Sequence, residues 1–411
     1  MFRLPLLFIA TGIVSFVLFH VGSLFTTGGW VLDHPRSPDG WFRVHLLVLD
    51  WATMVAMGAV YQLIDVVLQR RIYSRMLGYV HYVFFMGGTV ILLAGFLQSR
   101  VEWIAVGAVA AVIGILLFVW NVGRTLWEAK RWNPITLSTA CALLYLALTG
   151  LLGLAMGLNF AFQFWVDLHE RLLAAHIWLG TLGWFGLLIT GFSYKMLPMF
   201  YLSHGASDRP QYYILGLWNA AVLLGVWASL GPGDGSGPTL GVILLLAAAL
   251  LIYDRLIRDI RKHSHKASPG RGIVWTLWST RALLVFCILS LCVGLVAPSL
   301  LRSLSWIVIA GWVYLWGWVA VTVLGYMSKI VPFLWWTHKY GDQAGRPGVP
   351  VMSDLISERS VDAGMWVMAV GLLTALAGMG FMEPWAVFTG IAALSAGALF
   401  YIGVIARVFT R

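Results

Sequence analysis

The 411-residue chain has few charged residues: Asp, Glu, Lys and Arg make up 11%, whereas 60% of the residues are hydrophobic. A soluble domain carries about 25% charged residues, and a soluble chain of this length would divide into domains that each need a polar surface. The composition therefore excludes a soluble protein. It predicts an all-α polytopic membrane protein, and the length allows about twelve spans.

Cysteines and long loops are also scarce. The three cysteines, Cys141, Cys287 and Cys292, all lie inside apolar runs and form neither a disulfide framework nor a zinc motif. The longest predicted loop, Leu334 to Ser360, is too short to fold as a catalytic domain. Any chemistry must therefore be carried by the helices themselves.

Acidic residues are fewer than basic ones, 17 against 27, which gives a net charge of +10. The basic residues lie between the apolar runs, mostly in loops after even-numbered spans, for example Arg70, Arg71 and Lys262. This distribution does not suggest a nucleic-acid partner, and it follows the positive-inside rule. We expect both termini to be cytoplasmic and the protein to lie in a prokaryotic cytoplasmic membrane. The N-terminal apolar run has no small-residue cleavage site, so we interpret it as the first span.

The predicted spans are 4–26, 43–68, 77–97, 103–123, 134–158, 170–200, 211–231, 239–257, 274–299, 303–333, 361–381 and 385–407. Lys195, Lys329 and Arg281 lie inside spans, and we interpret them as basic side chains that reach for the cytoplasmic interface.

An internal repeat relates the second, sixth and tenth spans. They read WATMVAMGAVYQLID, WFGLLITGFSYKMLP and WVAVTVLGYMSKIVP, which aligns Gly58, Gly191 and Gly325 at intervals of 133 and 134 residues. Each glycine follows a tryptophan by seven residues: Trp51, Trp184 and Trp318. The repeat predicts a single transmembrane domain of three four-helix pseudo-repeats, 1–131, 132–270 and 271–411.

Four histidines lie toward the outer ends of their spans: His20, His45, His169 and His176. His45 lies 13 residues before its aligned glycine and His176 lies 15 before, so two repeats carry an imidazole at similar depth. His169 and His176 are two helical turns apart and share a face. Imidazole is a common ligand of haem iron and copper. The alternative is a histidine that only bonds a backbone carbonyl or lies among lipid headgroups.

Asp50 is the remaining candidate within a span. Its equivalents in the other two repeats are Gly183 and Gly317, and it directly precedes Trp51. A carboxyl at that depth must be protonated, paired or hydrated, because an isolated charge there costs several kcal/mol. Asp50 is therefore a candidate for proton transfer, for a bond to Arg43 or for a contact with a bound group.

These features resemble the catalytic subunit I of the haem–copper oxidases. The segment FRVHLLVLDW at Phe42 is similar to the second helix of that family, and AAHIWLGTLGWFGLLITGFSYKMLPMF at Ala174 is similar to its sixth helix. The resemblance implies that His45 ligates a haem of the b type and that His176 ligates copper or haem. His20 and His169 are further candidates, for haem and for metal respectively.

The chain also departs from that family. The tenth span has no histidine between Ser303 and Pro332, and the seventh span lacks the adjacent pair that ligates copper in the family. The resemblance thus implies an oxidoreductase-like protein without a complete binuclear centre. Such a protein transfers electrons or handles NO or O₂, with respiratory subunits or a c-type cytochrome as partners. The alternative is a cofactor-free transporter or scaffold subunit on the same fold.

Overall fold

A computed structural model of the chain describes residues 3–25, 31, 36–165, 167–205, 207–231 and 236–411. These residues form helices and no strands, apart from an isolated backbone bridge between Ser203 and Ser264. Twelve helices in the described part of the chain are long and apolar enough to cross a membrane. The protein is therefore an all-α polytopic membrane protein, as its composition predicts.

The bounds of these helices are α1 Arg3–Leu24, α2 Pro38–Leu68, α3 Arg75–Leu97, α4 Val101–Ala129, α5 Pro134–Phe162, α6 Leu168–Tyr201, α7 Arg209–Leu230, α8 Gly237–Lys262, α9 Arg271–Val296, α10 Leu304–Gln343, α11 Glu358–Phe381 and α12 Pro384–Thr410. Each predicted span overlaps one helix.

The largest difference between a predicted span and the observed helix is at the end of α10. This helix continues to Gln343 and so includes His338, a residue predicted to lie in a loop. The extension is polar, but two indoles anchor it. Trp335 Nε1 donates to the Arg411 carbonyl at 3.1 Å, and Trp336 Nε1 donates to the Pro350 carbonyl at 2.7 Å. A fall in hydropathy marks the membrane boundary, whereas a helix ends only where its hydrogen bonding ends.

Local sequence signals explain several helix starts. Asn133 and Thr136 form a reciprocal capping box at the start of α5, where Pro134 occupies the first turn. The Ser74 hydroxyl accepts a hydrogen bond from Leu77 N at the start of α3, and Ser357 accepts one from Ser360 N at α11. These side chains satisfy amide groups that have no partner within the helix.

The chain divides into two compact units. The first contains residues 1–62, 270–279 and 304–411, and the second contains residues 63–269 and 280–303. Within the first, α11 and α12 approach closely: a Cβ on Gly371 would lie 2.3 Å from Leu394 N. Within the second, a Cβ on Gly107 would lie 2.4 Å from Leu92 N, between α3 and α4. Glycine permits this close helix packing, which is favoured in membranes.

Candidate cofactor site

Three helices contain a π-helical segment of eight residues, at Leu46–Thr53 in α2, Leu179–Gly186 in α6 and Val313–Ala320 in α10. Each segment begins 12 residues before the aligned glycine of its helix and ends five residues before it. π-helical turns are rare and are often found at functional sites, because they change the direction of side chains within a continuous helix. Each segment is therefore a candidate functional region within its own unit: those of α2 and α10 lie in the first unit, and that of α6 lies in the second.

The three aligned glycines lie against the preceding helix. A Cβ on Gly58 would lie 2.9 Å from the Pro5 carbonyl of α1, one on Gly191 would lie 2.6 Å from Ser138 Cβ of α5, and one on Gly325 would lie 2.3 Å from Thr276 Oγ1 of α9. A side chain at any of these positions would force the helices apart. Each glycine thus fixes how closely its helix, with its π segment, approaches the helix before it.

The aligned tryptophans Trp51, Trp184 and Trp318 are 1%, 1% and 0% exposed. Trp51 packs on Phe16 with ring centroids 4.1 Å apart, and Trp184 packs on Phe118 at 6.1 Å. The indole Nε1 atoms of Trp51 and Trp184 are buried and have no hydrogen-bond partner among the described residues. Such groups are uncommon in native proteins and often mark a site that takes a ligand or water.

His20 in α1 is completely buried, and its two ring nitrogens have different surroundings. Nδ1 lies 2.9 Å from the hydroxyl oxygen of Ser395 in α12. Nε2 is buried without a hydrogen-bond partner in the described parts of the chain. The imidazole contacts Phe16, Phe19 and Trp316, with ring centroids 4.4, 5.2 and 5.2 Å away. Trp316 belongs to the π segment of α10, so that segment forms part of the wall around His20.

His45 and His176 share one feature. His45 Nδ1 lies 2.8 Å from the carbonyl oxygen of Trp41, and His176 Nδ1 lies 2.9 Å from that of Thr149. A carbonyl oxygen only accepts, so Nδ1 must donate in both, and the neutral ring then has its lone pair on Nε2. Metal-ligating histidines usually have this arrangement. His45 belongs to the first unit and His176 to the second.

His169 is half-buried at the start of α6, in the second unit. Its Nδ1 lies 3.4 Å from Asn159 Nδ2, and its ring lies 4.9 Å from that of Phe160. Asn159 also bonds both backbone groups of Trp165, at 2.8 Å each. Asn159 thus links the last turn of α5 to Trp165 and to the first turn of α6.

Asp50 is 3% exposed and lies in the π segment of α2, directly before Trp51. A carboxyl buried to this extent is protonated or compensated by a partner. The role of Asp50 in proton transfer stays a prediction.

Two residues of interest were not candidates from the sequence. Ser395 contacts His20 from 375 residues away, and one serine in an apolar helix carries no sequence signal. His81 in α3 is 0% exposed and lies 5.1 Å from the Phe118 ring, which in turn contacts Trp184. Its position at the start of a span was visible in the sequence, but its burial against aromatic rings was not.

The described residues contain no group of three or more His, Cys, Asp or Glu side chains arranged to hold a metal ion. No protein-family model and no curated protein matches the chain. The assignment of the candidate site therefore rests on the geometry of its residues.

Proposed function

We propose that this chain is a haem-binding membrane redox protein of the haem–copper oxidase-like superfamily, which transfers electrons or handles NO or O₂. The observation that carries the proposal is His20. Its Nδ1 is held by Ser395, while Nε2 is buried among aromatic rings and has no hydrogen-bond partner among the residues that the structure describes. His20 Nε2 would ligate a haem iron, and the surrounding aromatic side chains would pack on the flat ring system.

The donor set favours haem over copper. Copper sites use three or more protein ligands, and no such group occurs among the described residues. Haem needs only one or two, and His20 and His45, both of the first unit, each have a partner that orients Nδ1. His176 is the corresponding candidate in the second unit.

A bound haem would supply one-electron chemistry and the capacity to bind a diatomic gas. The chain itself orients the His20 imidazole through Ser395 and excludes water with Phe16, Phe19 and Trp316. Asp50, in the π segment of α2, would hold a proton near Trp51. We expect an electron donor such as a c-type cytochrome or another respiratory subunit, because a redox protein must exchange electrons with a partner.

We also propose three related four-helix units, 1–131, 132–270 and 271–411, in a prokaryotic cytoplasmic membrane with both termini cytoplasmic. Support for the repeat comes from the three π segments, which start at the same distance from their aligned glycines. Support for the orientation comes from the basic residues in loops after even-numbered helices.

The test is the reduced-minus-oxidised visible spectrum of the purified protein, produced with haem available, together with haem quantification. We expect a Soret and an α band that His20→Gln weakens or shifts, because an amide can still bond Ser395 but cannot ligate iron in place of imidazole. His45→Gln and His176→Gln are measured in parallel. His81→Gln is the matched control, since His81 is equally buried and the proposal assigns it no ligand role. Absence of both bands after haem supply would refute the proposal.

A cofactor-free transporter is the second candidate, and the buried Asp50 favours it. A protonatable carboxyl inside a bundle is typical of proton-coupled transport. Proton or solute flux in haem-free proteoliposomes, abolished by Asp50→Asn, would support this function over the first.

A further inference from the structure

A charged cluster in the second unit is not used by the proposed haem site. Asp254, near the end of α8, accepts hydrogen bonds from Arg281 Nε of α9 at 2.8 Å and from Arg258 Nε at 2.9 Å. Arg258 Nη2 also bonds the same carboxylate. One buried carboxylate therefore fixes two guanidinium groups from two neighbouring helices, and one positive charge is left over.

Asp254 orients both arginines but does not engage all of their N–H donors. The Asp254 side chain is 7% exposed, whereas those of Arg258 and Arg281 are 57% and 39% exposed. A guanidinium has five N–H donors, and Asp254 engages two from Arg258 and one from Arg281. Asp254 therefore leaves the other N–H donors of both guanidinium groups unused. Two braced guanidinium groups are well suited to bind one phosphate.

The surroundings reinforce this positive charge. Arg255, Arg261, Lys262 and Lys266 are exposed on the last turns of α8 and the loop that follows. With Arg258 and Arg281 they make six basic side chains, against the acidic Asp254 and Asp259, an excess of four positive charges. An anion is therefore attracted to this end of α8 and α9.

Exposed apolar side chains continue from the arginines along the same helices. Leu244 and Leu251 precede Arg258 by 14 and seven residues, which places them on one face of α8. On α9, Val285 and Ile288 follow Arg281 by four and seven residues and are also exposed. A ligand at the arginines would thus have a phosphate end at the charged cluster and an apolar end along the helices. A phospholipid has this form, and a soluble phosphate does not.

We propose that Arg258 and Arg281, braced by Asp254, bind the headgroup phosphate of an anionic phospholipid, with its acyl chains along α8 and α9. Basic pockets between membrane helices recognise anionic lipids in this way. The proposal is independent of whether the protein binds haem.

The experiment is native mass spectrometry of the detergent-solubilised protein with phosphatidylglycerol, compared with phosphatidylcholine of identical acyl chains. We expect the wild-type protein to retain phosphatidylglycerol preferentially. The double variant Arg258→Gln, Arg281→Gln should bind it roughly 25-fold more weakly, about five-fold for each cation removed. Arg124→Gln is the matched control, because Arg124 is a similarly exposed arginine paired with Glu128 at 3.1 Å in the same unit.

The double variant leaves Asp254 buried without its partners and so risks misfolding. The triple variant Asp254→Asn, Arg258→Gln, Arg281→Gln removes all three charges and leaves no buried carboxylate without a cation, so it should fold yet show the same loss. Equal retention of both lipids by the wild type, or undiminished phosphatidylglycerol binding by the folded triple variant, would overturn the proposal. Competition by glycerol 3-phosphate at equal concentration would also overturn it, since it would indicate a site for soluble phosphate.

Discussion

At the scale of single residues, His20 differs from His45 and His176 in the partner of its Nδ1. His45 and His176 bond backbone carbonyls, which mutation cannot remove, whereas His20 bonds the Ser395 hydroxyl. The contribution of the Nδ1 hydrogen bond can therefore be measured for His20, by removing the Ser395 hydroxyl. A group that orients a ligating imidazole is commonly worth 10–100-fold in affinity.

We predict that Ser395→Ala weakens haem binding by about 10–100-fold without changing the helical content. The reason is that the imidazole loses the hydrogen bond that fixes its ring orientation. Haem titration of the apoprotein measures the effect. Thr389→Ala is the control, because the Thr389 hydroxyl bonds the Trp385 carbonyl of its own helix, α12, at 2.8 Å and is exposed. Equal affinity of the Ser395 and Thr389 variants would remove His20 from the ligand set.

The candidate histidines could be found from the sequence because ionisable residues are rare in apolar spans. Their partners could not, since Ser395 is 375 residues from His20 and the pairing depends on how α1 and α12 pack. Arg281 and Lys329 are similar cases. The sequence predicts that both reach for the interface, but Arg281 pairs with Asp254 at 2.8 Å and Lys329 with Glu358 at 2.6 Å. Hydropathy predicts the depth of a side chain and not the partner that it meets.

At the scale of helices, the spans were predictable because about 20 apolar residues are needed to cross a bilayer. The π segments were not, because their sequences, LLVLDWAT, LGTLGWFG and VYLWGWVA, have no composition in common that ordinary helices lack. The sequence does show an aligned tryptophan within each segment and an aligned glycine after the segment ends. The structure gives both positions a role. The glycine permits close contact with the preceding helix, and the tryptophan, seven residues before the glycine, is buried.

Gly325 offers the sharpest test of this packing. A Cβ there would lie 2.3 Å from Thr276 Oγ1 and 2.5 Å from the Gly272 carbonyl oxygen, and the latter is backbone that cannot rotate away. We predict that Gly325→Ala destabilises the protein by about 1–3 kcal/mol through overpacking. Thermal unfolding in detergent measures this effect. Gly311→Ala in the same helix is the control, because a Cβ at Gly311 meets nothing within 4 Å. Similar melting temperatures of the two variants would show that α9 and α10 are not in close contact.

At the scale of the whole molecule, charge and helix number together predict a membrane topology. The loops after α2, α4 and α8 contain Arg70 and Arg71, Lys130 and Arg131, and Lys266, whereas Met382 and Glu383 connect α11 to α12. Twelve crossings return the chain to the side on which it began. The proposed lipid site at Arg258 and Arg281 lies at the end of α8, and therefore on the basic side.

We therefore predict that the connections after odd-numbered helices face the side opposite the basic loops. Alkaline phosphatase, which is active only outside the cytoplasm, should be active when fused after Glu383 and inactive when fused after Lys266. Green fluorescent protein, which folds in the cytoplasm, should fluoresce when fused after Arg411. The physical reason is the cost of moving basic loops across the membrane during insertion.

The matched control replaces Arg70, Arg71, Lys130 and Arg131 by glutamine, which should reduce the contrast between the phosphatase fusions if these charges set the orientation. Phosphatase activity after Lys266 in the unaltered chain would contradict the topology, and with it the placement of the lipid site on the cytoplasmic side.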